Sequence, residues 1–245
     1  MKVVFSRKGF DSAAGGAPSP IINGRPISLP IPADDRSNTT YGDIGLGSVV
    51  EEMTRGVITA SSFCHCDPMF EKGRCAFGQT GASQTHLSNN GVGKGDVFLF
   101  YGLFSELNGA DRHHRIFGYL KIEEILKPGS APTKASQPKG FCIRHPHTIG
   151  EWNENNSIYI GPAKVTKIAL PKLRLSIPDG PVSHWQVPSW LRQTGLSYHG
   201  NAKRWLSNSV LHTTSPGQEF VADITGNRVA ASWLKRLIGL IEGKA

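Results

Sequence analysis

The segment Gly95–Leu126 constrains this chain more than any other. It reads GDVFLFYGLF, SELNGADRHHR, IFGYLKIEEIL: two strands joined by a polar, basic loop. Val97–Tyr101 is an unbroken apolar run, too short for a globular helix and rich in strand-forming residues. Such a run is a strand covered on both faces. In the second strand, alternation sends Ile116, Gly118, Leu120 and Ile122 to one face and Phe117, Tyr119 and Lys121 to the other. Gly118, lacking a side chain, marks a place where another group can approach the sheet closely. The joining loop exceeds the usual ~2–5 residues of a hairpin. It carries Arg112, His113, His114 and Arg115, expected either on a solvated tip or as a rim for a nucleic-acid backbone.

At 245 residues and 38% hydrophobic, the chain can bury a sizeable core as one large domain or two small ones. We expect a single domain over 1–245. No apolar run approaches the ~18 residues that cross a membrane, and MKVVFSRKGF is too short an apolar start for a signal peptide. A cytoplasmic protein with no membrane partner is expected. Cys64, Cys66, Cys75 and Cys142 do not form a secreted disulfide framework. Lys and Arg number 27 against 19 Asp and Glu, a net charge of +8 and a pI near 9.4. That excess favours DNA or a nucleotide as partner. The charge is spread over Arg7–Lys8, Arg112–Arg115, Lys134–Lys139, Lys164–Arg174 and Lys203–Arg204, which is equally the pattern of a solvated basic surface.

Punctuation places the remaining elements. Lys2–Ser6 reads as a strand, and Asn23-Gly24 between apolar residues marks a hairpin within Ile21–Leu29. Asp43 or Ser48 is expected to cap a short helix ending at Arg55–Gly56. Val57–Phe63 reads as a strand leading into Cys64-His65-Cys66-Asp67-Pro68, and Ala82–Asn90 as a short helix. Pro128–Lys139 is the most loop-like segment. Strands are expected at Phe141–His147, Ser157–Ile160, Lys164–Leu170, Trp205–His212 and Glu219–Ile224. An amphipathic C-terminal helix carries Ala230, Trp233, Leu234, Leu237, Ile238 and Ile241, with Gly243 as its stop. The pattern is that of an α+β, β-rich mixed domain.

Four constellations carry candidate chemistry. Ser6–Ser12 follows an apolar strand with a loop holding Arg7, Lys8, Asp11 and Ser12. It can place Arg7 and Lys8 on a phosphate and Asp11 on a sugar or base edge; the alternative is a turn in which Asp11 bonds its own backbone. The loop lacks the paired glycines of an ATP loop, and no Walker A or GxGxxG pattern is present, so no cofactor is evident. His65-x-Asp67 would lie on one side of an extended segment, where a carboxylate can orient an imidazole for acid–base work; the alternative is an Asp capping a turn before Pro68 and a His in the wall of the core. The flanking cysteines lack paired zinc spacing, so no metal is expected. In Phe77–His86, Gln79 and Gln84 offer amides to a base edge, and His86 shares a helix face with Ala82. Tyr101 and Tyr119 near the hairpin can stack on a base, although aromatics in a β-rich domain are more often core. Lys203 and Arg204 lie in a polar stretch able to add a basic rim.

Two resemblances accompany these readings. The Gly-Asp entry, apolar strand, loop and IFGYLKI strand resemble the central strands of PUA-like barrels, the ASCH and EVE domains, which bind RNA or modified DNA bases. The longer set SRKGFDS, GGAPSPI, EEMTRG, HCDP, FGQTGASQTHL, GDVFLFYGLF and HRIFGYLKI resembles the third family of nucleotide-modification-associated domain proteins of bacteria and phages. These resemblances imply a domain built around a PUA-like barrel, and a context of DNA base modification or defence. Function is expected to be either an enzyme acting on DNA or its modified bases, with His65, Asp67 and Asp11 as catalytic residues, or a non-catalytic reader holding a flipped modified base. An enzyme would bring at least two of those three residues together in a pocket; a reader would line the pocket with aromatics and amides.

Overall fold

The structure is a computed structural model, and it describes residues 1–33, 36–107, 109–214 and 219–244. The strands in chain order are β1 (Lys2–Arg7), β2 (Ser19–Ile22), β3 (Arg25–Pro26), β4 (Met69–Glu71), β5 (Arg74–Gln79), β6 (Val97–Glu106), β7 (His113–Lys121), β8 (Glu124–Leu126), β9 (Ser157–Val165), β10 (His184–Gln186), β11 (Val210–His212) and β12 (Glu219–Asp223). The α-helices are α1 (Gly47–Thr54), α2 (Gly81–Asn89), α3 (Ser189–Thr194) and α4 (Arg228–Glu242).

The apolar run that dominates the sequence becomes β6, buried along its whole length except at Glu106. It lies between β1, which it pairs in parallel, and β7, which it pairs antiparallel. The main sheet runs β12-β1-β6-β7-β9-β5-β4, with β2 and β3 added beside the end of β6 and β8 beside β9. One face carries Val97, Leu99 and Tyr101 against Trp185 and the apolar stripe of α4 (Ala230, Leu234, Leu237 and Ile241). The other carries Phe98, Phe100 and Phe104. Here the sheet curls over itself, so that Phe77 of β5 meets Phe98 at 4.9 Å and Phe100 at 5.2 Å between ring centroids. No strand pairing joins β4 or β5 back to β1 or β12 among the described residues. The result is a mixed, sheet-rich α and β domain with a C-terminal helix, and no closed barrel is formed among the described residues.

The strict alternation expected in β7 breaks at Phe117. Phe100 pairs with Gly118, whereas Tyr101 pairs with Ile116, so Phe117 is an extra residue in the strand. Such a bulge turns the chain over by one residue. Ile116 therefore joins Tyr119 on the α4 face, while Phe117 joins Leu120 and Ile122 on the other. Gly118 does mark a close approach: a Cβ there would lie 3.0 Å from the Lys164 carbonyl oxygen.

The Asn23-Gly24 hairpin and α4 form as the sequence predicts, with Asn227 Oδ1 accepting from Ala230 N and Gly243 in the left-handed region. Others differ. Neither Asp43 nor Ser48 caps α1; Asp43 instead accepts from Thr40 N at 2.8 Å, and Ser48 lies inside the helix. Val57–Phe63 is a succession of turns, held by the side chains of Thr54, Thr59 and Ser62. Phe141–His147 ends in a single 3₁₀ turn at Pro146–Thr148, whose proline fits the first turn but not a central strand. The two strands expected around Gly161 are one, β9, and the chain beyond Val165 leaves the sheet. No helix among the described residues is long and apolar enough to cross a membrane.

Candidate active site

The site lies where β1 and β5 end. Lys8 N donates to Tyr101 O at 2.8 Å, carrying the β1–β6 pairing one residue beyond the strand, and the chain then turns away into a glycine-bearing loop. Asp11 closes that loop by accepting from Ala13 N and Ala14 N at 2.7 and 2.8 Å. Its second oxygen lies 3.2 Å from Arg7 Nη2. Asp11 is thus both a turn residue and a counter-ion for Arg7. Opposite, β12 presents Glu219 in register with Ser6. This buried carboxylate receives Lys8 Nζ at 3.1 Å and Gln79 Nε2 at 2.7 Å. It fixes both side chains at the rim of one cavity.

That cavity has a volume of about 550 Å³, within the range that accepts a nucleotide-sized ligand. Arg7, Lys8 and Arg36 give it a cationic wall, and Asp11 and Gln79 also line it. Its floor is built from His65, Asp67, Gly78, His147 and Trp152. His65 and Asp67 are not on a regular strand, because Asp67 N donates to His65 O at 2.7 Å in a tight turn. The two side chains still meet, with His65 Nε2 3.6 Å from Asp67 Oδ2.

Asp67 is the centre of the floor, its side chain only 4% exposed. Gly78 N donates to both of its oxygens, at 3.0 and 3.2 Å. His145 Nε2 faces Oδ1 and His147 Nε2 faces Oδ2, each at 3.6 Å. Burial raises the carboxyl pKa, but the surrounding His145 and His65 outweigh it and hold Asp67 ionised well below the usual carboxylate range. Gly78 also lets the ring of His147 lie directly over its Cα, where any Cβ would collide with the imidazole. Trp152 stacks on the far face of that ring at 4.1 Å and 13°, and Arg36 lies over Trp152 at 4.7 Å. His147 is thereby clamped between backbone and indole.

The tautomer of His147 follows from its neighbours. Asn156 Nδ2 donates to Gly129 O and His147 O at 3.1 and 3.0 Å, leaving its Oδ1 as an acceptor. That oxygen lies 2.7 Å from His147 Nδ1, which must carry the proton. Nε2, the nitrogen aimed at Asp67, is therefore bare in the neutral ring. Burial pushes the His147 pKa down to about 3, against the pull of Asp67.

The comparisons with known proteins bear on this site. A family model described as nucleotide modification associated domain 3 matches residues 2–223. The chain belongs to that family. The match spans the whole floor and cationic wall of the cavity and stops just before α4. No curated protein and no solved structure matches the chain.

Within this family member, the sequence-predicted residues divide cleanly. His65, Asp67 and Asp11 line one cavity together with Arg7, Lys8 and Gln79. Ser12 is exposed and outside it. Gln84 is buried, accepting from the Tyr159 hydroxyl at 2.9 Å. His86 pairs with Ser197 Oγ at 2.9 Å and stacks on Tyr198. Tyr101 packs edge-on against Trp185 in the core. The Tyr119 hydroxyl donates to Glu242 on α4 at 2.6 Å.

The basic loop residues are corrected more sharply. His113, His114 and Arg115 belong to β7 and are 4%, 8% and 3% exposed, so they cannot form a solvent-facing rim. Arg115 Nη2 donates to Leu170 O at 2.8 Å, and His114 Nδ1 accepts from Trp185 Nε1 at 3.0 Å. Arg112 is exposed but borders a different depression, and Lys203 and Arg204 sit on a 3₁₀ turn that does not line the site. The sequence reading missed Arg36, His145, His147, Trp152 and Asn156. Its one available signal was His145-Pro146-His147, which repeats the one-residue spacing of His65 and Asp67 just before a tryptophan.

Proposed function

We propose that this chain is an enzyme acting on a nucleotide, most readily one turned out of DNA, at the His65–Asp67–His147 floor. The observation that carries the reading is a buried carboxylate facing two imidazoles in a nucleotide-sized cavity whose wall is cationic. The wall supplies charge for a phosphate, and the floor supplies groups that move protons or activate a nucleophile. A base cannot reach such a floor while stacked in a duplex, so DNA would enter with its target flipped. The net charge of +8 suits that partner. Membership of a nucleotide modification associated family supports the same context. The reaction would add a group to a base or remove one.

A PUA-like reader would need aromatics and amides around the base. Tyr101 and Tyr119 are instead held in the packed sheet, and Gln79 is bound to Glu219. Among the described residues, Trp152 is the one Phe, Tyr or Trp side chain lining the cavity.

The test is nucleoside mass spectrometry of modified and unmodified DNA incubated with the protein. The expected result is gain or loss of a defined group, abolished in Asp67→Asn. DNA that is bound but returned chemically unchanged under every co-substrate condition would support the reader instead.

A further inference from the structure

We propose that His65 Nε2, Asp67 Oδ2 and His147 Nε2 together hold a divalent transition-metal ion, with its open coordination positions facing the cavity.

The distances come first. Asp67 Oδ2 lies 3.6 Å from both histidine nitrogens, and the three ligand atoms all fall within 4.8 Å of one another. These separations are too long for hydrogen bonds, which lie at about 2.7–3.2 Å. The two 3.6 Å separations match ligands about 2.1 Å from a common centre, which stand about 3.4–3.6 Å apart when they subtend 109–120°.

The hydrogen-bond pattern gives an independent argument. Asn156 fixes the His147 proton on Nδ1, so the Nε2 lone pair points at an anionic oxygen across 3.6 Å. Two lone pairs in a buried site repel unless something positive lies between them. A cation at that point satisfies both. The surrounding contacts are those of a supported metal site, in which outer groups orient the ligands. Asn156 holds His147, and Gly78 N holds the carboxylate. His145 Nδ1 accepts from His147 N at 3.2 Å, leaving its own proton on Nε2. That Nε2 is fully buried, lacks a hydrogen-bond partner and is aimed at Asp67 Oδ1. His145 thus presents a proton, not a lone pair, toward the carboxylate and is not itself a ligand.

The donor set names the class of ion. Two imidazoles and one carboxylate suit zinc, iron(II) and similar first-row ions; magnesium and calcium prefer oxygen cages. Three protein ligands leave room for water or substrate, as catalytic sites require. The cysteines are not part of the set: Cys64 is packed in a separate core with Phe10 and Tyr41. The inference departs from the sequence expectation of no metal. It rests on the proposed function only for the role of the ion, since binding itself needs no substrate.

The experiment is a titration of chelator-treated, full-length protein with Co²⁺, followed by its visible absorption, with elemental analysis after loading with Zn²⁺ or Fe²⁺. We expect one ion per chain, with affinity falling at least tenfold in His147→Gln and in Asp67→Asn, while Cys64→Ser and Cys66→Ser retain it. Circular dichroism of each variant separates lost ligand from lost fold, and His65→Gln provides a second ligand variant on a partly exposed side chain. Sub-stoichiometric binding, or folded ligand variants that bind as tightly as the parent, would overturn the proposal. Nucleotide binding is measured separately by equilibrium dialysis in excess chelator. A nucleotide-binding protein that takes up no metal defeats this inference and leaves the proposed function standing; a metal-binding protein that ignores nucleotides and DNA does the reverse.

Discussion

Asn156 Oδ1 accepts the Nδ1 proton of His147 at 2.7 Å, and the other end of the same carboxamide holds two carbonyls. One buried side chain therefore decides which nitrogen of a candidate catalytic ring is available. Replacing it with leucine, similar in branching but apolar and larger, removes an acceptor and two donors from a fully buried position. We expect Asn156→Leu to lose about 1–3 kcal/mol of stability for each buried group left unsatisfied, and activity beyond what the folded fraction explains. Urea denaturation together with single-turnover assays checks this. A variant that is destabilised yet fully active per folded molecule would reduce Asn156 to a structural role.

The Lys8–Glu219 pair carries a different expectation. Lys8 lines the cavity, so it is a tempting target for a phosphate-binding test. Its partner, however, is 3% exposed and already has one oxygen, Oε2, without a hydrogen bond. Removing the lysine leaves that carboxylate with the Gln79 amide but without its charge partner, and breaking a buried pair from one side costs about 3–5 kcal/mol. Lys8→Met should therefore unfold at markedly lower urea, and Glu219→Gln in the same chain should restore most of the loss. The four proteins of this cycle give the coupling directly. Additive effects would mean that the pair is not the source of the cost. Arg36, attached to the site through Trp152, is the cleaner position at which to test charge for ligand binding.

The basic stretch before Ile116 separates what the sequence discloses from what it hides. The two central strands were legible because apolar runs declare themselves locally. Arg112–Arg115 read as a solvated tip or a nucleic-acid rim, exposed in either case, because charged residues usually are solvated. What buries Arg115 is the carbonyl of Leu170 and what buries His114 is the indole of Trp185, partners brought in by distant chain. The bulge at Phe117 was hidden for the same reason, since register belongs to a pair of strands and not to one. The site followed the same rule. His65 and Asp67 are two residues apart and could be paired by inspection. The ring that completes their floor arrives from a 3₁₀ turn far along the chain, and its tautomer is set by Asn156, the residue just before β9.

Arg112 and Arg115 accordingly part company under mutation. Arg112→Ala should change stability by no more than about 0.5 kcal/mol, as exposed sites do. Arg115→Ala removes the donor to Leu170 O and should cost about 1–3 kcal/mol. Parallel urea titrations distinguish them. Equal midpoints for the two variants would return Arg115 to the surface.

The last prediction concerns acid. His114 is buried on β7, and its Nδ1 accepts from Trp185 Nε1 at 3.0 Å. Burial first, then the charges of Arg7 and His113, push its pKa down to about 3 from an ordinary 6.5. The folded state keeps the ring neutral through that interval, whereas the unfolded chain takes up a proton near pH 6.5. The unfolded state thus binds more protons between roughly pH 6.5 and 3, and unfolding becomes easier as pH falls through that window. The slope from this one group approaches about 1.4 kcal/mol per pH unit, and it vanishes above the unfolded pKa. His113 and His199 are also held below the ordinary value by burial, so the parent's total slope is steeper. The informative quantity is a difference. His114→Asn keeps an oxygen acceptor for the Trp185 indole but cannot titrate. Urea midpoints measured at pH 7.5, 6.0 and 5.0 should converge between variant and parent as pH drops, the variant having lost the acid slope of one proton. Parallel curves across that range would show that His114 titrates in the folded protein as it does in the unfolded chain and that Trp185 does not donate to it.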